Sequence, residues 1–476
     1  MASRDGRPVL AFGERQWNRS QLDAWAGALA FALRGRGVRP GQRVALMSSN
    51  RPEFVAAVLA IWRLGAAVVL LSPAWKSAEV DHALALTNPV DAVGDHPALA
   101  SAMPMLPLDE GVFERAGRLG RQVPRTESRP ESDAVLVFSS GTTGMPKAVR
   151  HTHGSLGAAV RHWRSALDMT PRDRIQIVTP PSHILGLLNI MTALDTGAWL
   201  RLHRRFDVEV ALRGIEDDRI TLEMAVAPIA LAMAAHPRLE SFDLSSLRYI
   251  IWCATPVTSS VAQTVTRRTG VGFLTAYGTT ELPVIACNPV TGARLDTVGR
   301  PVPGVSVRVV SLDTSEPVAF GQTGEIVARS DSLMAGYLPA EATADAVCDG
   351  WYRTGDVGCV DGEGWLRITD RCKEMIKVRG FQVAPAEIEA ALHEHPGVED
   401  CAVFGVPDCA DGEAVVAAVV VSGSVDADEL VGLVADRLAS YKRLRRVVFV
   451  SAIPRLPSGK VLRRILKERY GCPADS

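Results

Sequence analysis

Leu22, Trp25, Leu29 and Leu33 recur every three or four residues, and this spacing predicts an amphipathic helix over residues 20–35 behind a Ser20 cap. A short apolar run at 43–47 reads as a buried strand. Residues 53–64 predict a second apolar helix and 66–71 a second strand. Strand alternating with helix argues for a layered α/β core. Residues 95–132 are rich in Pro, Arg and Glu, lack a clear period, and read as a surface connection. Further strands are expected at 134–138, 175–179, 221–225 and 248–252. The pattern then changes: glycines, prolines and runs such as VSVRVVSL over 296–370 predict a β-rich subdomain. From Asp370 strand and helix return. A helix is expected over 384–393, with Pro385 and Glu387 favourably placed in its first turn, then strands over 401–421 and a helix over 426–438.

A chain of 476 residues exceeds one ordinary core and implies two or three domains. Its 52 basic and 53 acidic residues leave a net charge of −1. That balance lacks the basic excess usual in a nucleic-acid binder. The longest apolar run, near Ala66, is far too short to span a bilayer. Eight scattered cysteines form no CxxC pair and read as reduced thiols of a cytoplasmic protein.

The strongest local signal is SSGTTGMPK, residues 139–147. It is expected to follow a strand and precede a helical segment. Ser139, Ser140, Thr142 and Thr143 offer hydroxyls, Gly141 and Gly144 let the backbone approach phosphate oxygens, and Lys147 supplies positive charge. It is not a Walker A loop, since Pro146 precedes Lys147 and Ala148 follows it.

On this loop the chain resembles the adenylate-forming superfamily: acyl-CoA synthetases, luciferases and peptide-synthetase adenylation domains. The resemblance covers nearly the whole chain and is nearest to the 4-coumarate:CoA ligase-like group. It implies a large multi-layer α/β N-terminal domain (1–369), carrying the β-rich subdomain and binding ATP and acid, and a small mobile α+β C-terminal domain (370–476), with the active site between them.

Further motifs extend the likeness. Tyr277-Gly278-Thr279-Thr280-Glu281 resembles the family's YGxTE motif, which implies Glu281 on Mg²⁺, Thr280 near the α-phosphate and Tyr277 by adenine. Tyr352-Arg353-Thr354-Gly355-Asp356 resembles YRTGD, implying Asp356 on the ribose diol. In DRCKEMIKVRGFQVAPAEIE, residues 370–389, the likeness implies Arg371 on the ribose, Lys373 as hinge, Lys377 and Gln382 near the AMP phosphate, and Gly380 beside a pantetheine channel. Glu387 and Glu389 in this stretch read as solvated charges. PSGKVLRR, residues 457–464, implies Lys460 as the catalytic lysine that bridges carboxylate and α-phosphate. The basic run at Lys442, Arg443, Arg445 and Arg446 reads as structural before it reads as a CoA-phosphate site. His151 and His153 suggest no metal, because a third ligand is missing.

For the acid pocket the resemblance implies His183, Leu185, Trp252, Cys253, Ala254, Gly278, Leu282 and Val284, with Thr255 toward the nucleotide. Here the chain departs from the coumarate-ligase pattern. Ile251-Trp252-Cys253-Ala254-Thr255-Pro256 stands where small residues are usual, Leu282-Pro283-Val284 follows Glu281, and Ser182 precedes His183. Added bulk should reject a long aryl acid and favour a small one.

The expected reaction is ATP- and Mg²⁺-dependent activation of a small acid as its adenylate, with release of pyrophosphate, then transfer to coenzyme A. Two other enzymatic readings stay open: transfer to an amine or carrier thiol, and activation of nitrite for delivery to an aryl amine. A non-catalytic nucleotide binder should have lost Lys460, Glu281 or Asp356, and all three remain. The partners expected are small molecules, with no nucleic acid and no membrane; the oligomeric state is left open.

Overall fold

A computed structural model describes residues 6–109, 111, 123–139, 146–253, 259–379, 381–408, 412–455 and 461–471. The chain forms two compact units. The first takes in Met1–Ala225, Ile229–Ser306 and Ala328–Tyr352; the second takes in Val226–Pro228, Val307–Val327 and Arg353–Ser476.

The first unit holds two large sheets. One has seven strands, in the order Gly336–Leu338, Lys147–Thr152, Asp133–Ser139, Ala67–Leu70, Arg43–Met47, Asp91–Gly94, Met105–Pro107. From Asp133–Ser139 to Met105–Pro107 every pairing is parallel. Such strands are covered on both faces and therefore read as continuous apolar runs rather than alternating ones; Val44 to Met47 and Val68 to Leu71 are all at most 1% exposed. The other sheet has nine strands, with Phe273–Tyr277, Tyr249–Trp252, Leu222–Ala225, Arg174–Ile177 and Trp199–Leu202 at its centre. The helix expected at 20–35 is Arg19–Gly35. Its cap is Asn18, not Ser20: Asn18 and Gln21 bond each other's backbone reciprocally, which Ser20 inside the first turn is badly placed to do. The stretch read as a plain connection carries order of its own, the helix Pro97–Ala102 and the strand Met105–Pro107.

In the second unit the β-rich segment forms an antiparallel ladder of Trp351–Val360 with Leu366–Arg371. The C-terminal part centres on the long hairpin Val398–Asp408 with Gly412–Val421, and Arg446–Phe449 lies parallel to the latter. One face of this sheet, with Val403, Val415 and Val419, is covered by the helices Pro385–Leu392 and Ala427–Arg437. The other, with Phe404 and Val416, meets Leu466 of the helix Arg463–Tyr470.

Candidate active site

The two strands on either side of the 140–145 segment form a hairpin. Asp133–Ser139 and Lys147–Thr152 run antiparallel, and Ser139 pairs with Lys147 across the loop ends. This corrects the expectation of a helix directly after the loop: Ala148, Val149 and His151 are buried and interleave with half-exposed residues, so the segment returns as strand before the helix His153–Ala166 begins. Ser140, Gly141, Thr142, Thr143 and Gly144 lie outside the described residues. Just past them, the carbonyl of Pro146 accepts a hydrogen bond from His82 Nε2 at 3.0 Å. A carbonyl only accepts, so the proton sits on Nε2 of His82.

Tyr277 ends the strand Phe273–Tyr277, and the chain turns sharply at Gly278. A Cβ there would stand 2.0 Å from the Pro283 carbonyl oxygen, so only glycine fits. Thr279 and Leu282 close the turn, each backbone N–H donating within it. Glu281 is left 7% exposed, and its Oε1 accepts from Tyr337 Oη at 2.7 Å. Tyr352 is hydrogen-bonded to both Tyr337 and Thr279, and burial pushes both phenols well above their ordinary range. The Lys147 ammonium sits 5.4 Å from the centre of the Tyr337 ring, within cation–π reach. Thr280 is half-exposed, its carbonyl accepting from His151 Nε2 at 2.8 Å. Full burial lowers the His151 pKa, so this ring is neutral. His151 is thus a brace for the 277–281 turn.

Lys147, Thr280, Glu281 and Tyr277 therefore belong to one interlinked cluster. Tyr337, His82 and His151 belong to it as well and were missed in the sequence. Tyr337 stands in the uncharged run MAGYL, where nothing in type or spacing marks it.

The residues expected to line the acid pocket fall into two groups. His183 is solvent-exposed at the start of the helix Ile184–Thr196, yet enough protein surrounds it to hold its imidazole below the usual pKa. Leu185 beside it is half-buried. Gly186 brings this helix against the Pro180 carbonyl, where a Cβ would stand at 2.3 Å. Trp252, Leu282 and Val284, by contrast, are at most 1% exposed. Trp252 packs on Phe273 with ring centres 6.0 Å apart. Cys253 is buried and its thiol is pushed up to about 12, which rules out a nucleophilic thiolate. Ala254 and Thr255 lie outside the described residues.

In the second unit, Asp356 and Arg371 pair across the Trp351–Val360 and Leu366–Arg371 ladder, with Arg371 Nε 2.8 Å from Asp356 Oδ1. Lys377 and Gln382 are cross-strand partners in the hairpin Ile376–Val378 and Phe381–Val383. Lys373 lies in the turn after Arg371. Gly380 and Lys460 lie outside the described residues. Three residues after Lys460, half-buried Arg463 bonds Glu389 at 2.6 Å, Glu374, and the Val403 carbonyl at 2.9 Å. Glu389 is therefore no solvated charge: it also accepts from the Val403 N–H at 2.7 Å. Glu387 likewise pairs with Lys442. A charge run reads as solvated only until a half-buried guanidinium from another element claims it.

Among the described residues no group of three or more His, Cys, Asp or Glu stands together. A single buried carboxylate, Glu281, suits a Mg²⁺ ion that arrives with nucleotide and takes most of its ligands from phosphate and water.

The family profile described as AMP-binding enzyme matches residues 1–338. The chain belongs to the AMP-binding enzyme family. A second profile, the AMP-binding enzyme C-terminal domain, matches residues 387–460. This AMP-binding enzyme is 35% identical to a feruloyl-CoA synthase of an Amycolatopsis species, over 99% of this chain and 96% of that protein. It is 36% identical to an indoleacetate–CoA ligase of Aromatoleum aromaticum, over 96% and 94%. Among solved structures, ATP-bound MatB from Rhodopseudomonas palustris superposes with a TM-score of 0.93 at 27% identity, covering 99% of this chain and 97% of that one. The amide bond synthetase McbA from Marinactinospora thermotolerans gives 0.89 at 31%, covering 98% of each. The expected α/β fold and adenylate-forming ligase class both hold. No helix among the described residues is long and apolar enough to cross a membrane.

Proposed function

We propose that the enzyme activates a carboxylic acid as its adenylate and passes the acyl group to coenzyme A. The observation that carries this reading is the cluster on the first unit, where Lys147, Thr280 and Glu281 are held together by Tyr337 and His151. A cation, a hydroxyl and a carboxylate fixed in one place suit the α-phosphate of ATP and its metal.

In this mechanism Lys147 binds phosphate oxygens through its ammonium. Glu281 would hold Mg²⁺, which when bound with ATP neutralises phosphate charge and eases loss of pyrophosphate. Thr280 orients the α-phosphate. Asp356, set by Arg371, takes the ribose hydroxyls. Lys460 supplies a second cation where charge develops as the acid attacks phosphorus. Lys377 and Gln382 then serve thioester formation, with Lys373 as the hinge between the two half-reactions and Gly380 leaving room for pantetheine. His183 lines the acid pocket.

Trp252 sits against Phe273, so its bulk is spent on sheet packing. On the bulk that Leu282 and Val284 bring after Glu281, a short or compact acid is the proposed substrate. One observation favours a second acceptor: the 31% identity to an amide bond synthetase supports an amine in place of coenzyme A.

The test is pyrophosphate release with Mg-ATP over a panel of short fatty acids, aryl acids and nitrite. Each is run with CoA, with an amine, and with neither, and products are read by mass spectrometry. A CoA thioester bears out the proposal. An amide assigns the enzyme to the second reading, and a CoA-indifferent product from nitrite plus an aryl amine assigns it to diazotisation. No release with any acid overturns adenylation.

A further inference from the structure

Glu281 has two carboxylate oxygens, and the fold treats them differently. Oε1 accepts a hydrogen bond from Tyr337 Oη at 2.7 Å. The phenol that makes this bond is itself fixed. Its strand, Gly336–Leu338, pairs antiparallel with Lys147–Thr152, setting Tyr337 opposite Val149. Its backbone N–H donates to Thr343 Oγ1 at 2.9 Å. Tyr352 bonds its hydroxyl from the side. The ring is 8% exposed and lies under the Lys147 ammonium. The Glu281 backbone is pinned too, its carbonyl accepting from the Met334 N–H at 2.8 Å.

We infer that Tyr337 is a positioning residue for the metal carboxylate: it occupies Oε1 of Glu281, leaving Oε2 as the oxygen presented to the divalent ion, and through its ring it fixes Lys147 relative to that oxygen. A carboxylate with one oxygen engaged by a phenol is biased toward ligation through the other, which suits an octahedral ion that keeps several waters. An outer hydrogen bond of this kind orients the ligand, and its removal costs about 10- to 100-fold in metal affinity. The inference rests on Glu281 being the metal ligand.

The test uses Tyr337→Phe, which keeps the ring beneath Lys147 and removes only the hydroxyl. Mn²⁺ binding to the enzyme with a non-hydrolysable ATP analogue is followed by electron paramagnetic resonance, in wild type, Tyr337→Phe, Glu281→Gln and the double variant. Expected is a Mn²⁺ affinity lowered about 10- to 100-fold in Tyr337→Phe, a matching rise in the KM for Mg²⁺, and little change in metal-free binding of the analogue. In the Glu281→Gln background the tyrosine change should add nothing. Glu281→Gln weakening Mn²⁺ while Tyr337→Phe binds as wild type does would overturn the tyrosine's role alone. Unchanged Mn²⁺ affinity in Glu281→Gln would overturn the metal assignment of Glu281 itself. Equal losses of metal-bound and metal-free analogue in Tyr337→Phe would reduce the tyrosine to a packing residue.

Discussion

Replacing Glu223 by Gln should change how the stability of this enzyme depends on pH. Glu223 lies in the central strand Leu222–Ala225 at 1% exposure. Gln176 Nε2 donates to its Oε2 at 2.7 Å and to the Ala211 carbonyl at 3.1 Å. Gln176 Oε1 in turn accepts from His203 Nε2 at 2.9 Å. Oε1 of Glu223 has no hydrogen-bond partner among the described residues. Burial disfavours the carboxylate and raises the pKa from 4.5 to about 8, against the pull of the Gln176 bond. The folded protein thus keeps a proton that the unfolded chain gives up above about 4.5. This contribution is fully present below pH 4.5 and is lost as pH rises toward 8. With those two pKa values it amounts to a cost of about 3 kcal/mol at pH 7, and the cost grows by about 1.5 kcal/mol from pH 6.5 to pH 8. His203 has the opposite slope. Burial and Arg201 lower it to about 4, so its neutral ring favours folding increasingly from pH 4 to 6.5, with a slope that dies away by about pH 7.5 and is common to wild type and variant. The window from 6.5 to 8 therefore isolates Glu223. Thermal melts of wild type and Glu223→Gln across that window should diverge, the wild-type midpoint falling by a few degrees relative to the variant. Parallel curves would show that Glu223 does not hold its proton, and would refute the argument from burial.

Other perturbations test the site directly. Lys460→Ala should abolish pyrophosphate release while leaving the melting temperature within a degree or two of wild type; unaltered release would remove the lysine from the mechanism. Gly278→Ala drives a methyl to 2.0 Å from the Pro283 carbonyl, so it should cost about 1–3 kcal/mol by denaturation and raise the KM for ATP. His82→Ala removes the 3.0 Å bond at the end of the phosphate loop and should raise the KM for ATP several-fold with little effect on stability. Asp356→Asn removes the charge that Arg371 pairs with at 2.8 Å and one of the two carboxylate acceptors, and should weaken ATP binding at least tenfold, read by calorimetry.

The sequence reveals this fold best where one local rule suffices. The parallel strands at 43–47 and 67–70 are buried on both faces, so unbroken apolar runs identify them. Gly278 and the 277–281 motif are equally legible, because the turn tolerates no other residue type there. What escapes is whatever depends on a partner distant in the chain. Ser20 looked like a cap because its residue type fits, but the reciprocal bonds run between Asn18 and Gln21. Glu389 looked solvated because Arg463, 74 residues later, was out of view. That Trp252 packs on Phe273 of the next strand is likewise marked by no local pattern in the sequence.

The residues that hold the catalytic groups share a physical logic that explains why they were hardest to read. His151 bonds a backbone carbonyl across 129 positions, His82 across 64, and Tyr337 bonds Glu281 across 56. His151 and Tyr337 present uncharged donors to an oxygen that must stay still. A fixed cation in any of these places would compete with Lys147 for phosphate and with Mg²⁺ for Glu281. A neutral donor fixes geometry and leaves the charges to the reacting groups. Such donors follow no periodicity and carry no net charge, so neither amphipathic pattern nor charge pattern flags them. Their effect should accordingly fall on metal and nucleotide affinity before it falls on folding, which is the difference the Tyr337→Phe and His82→Ala measurements resolve.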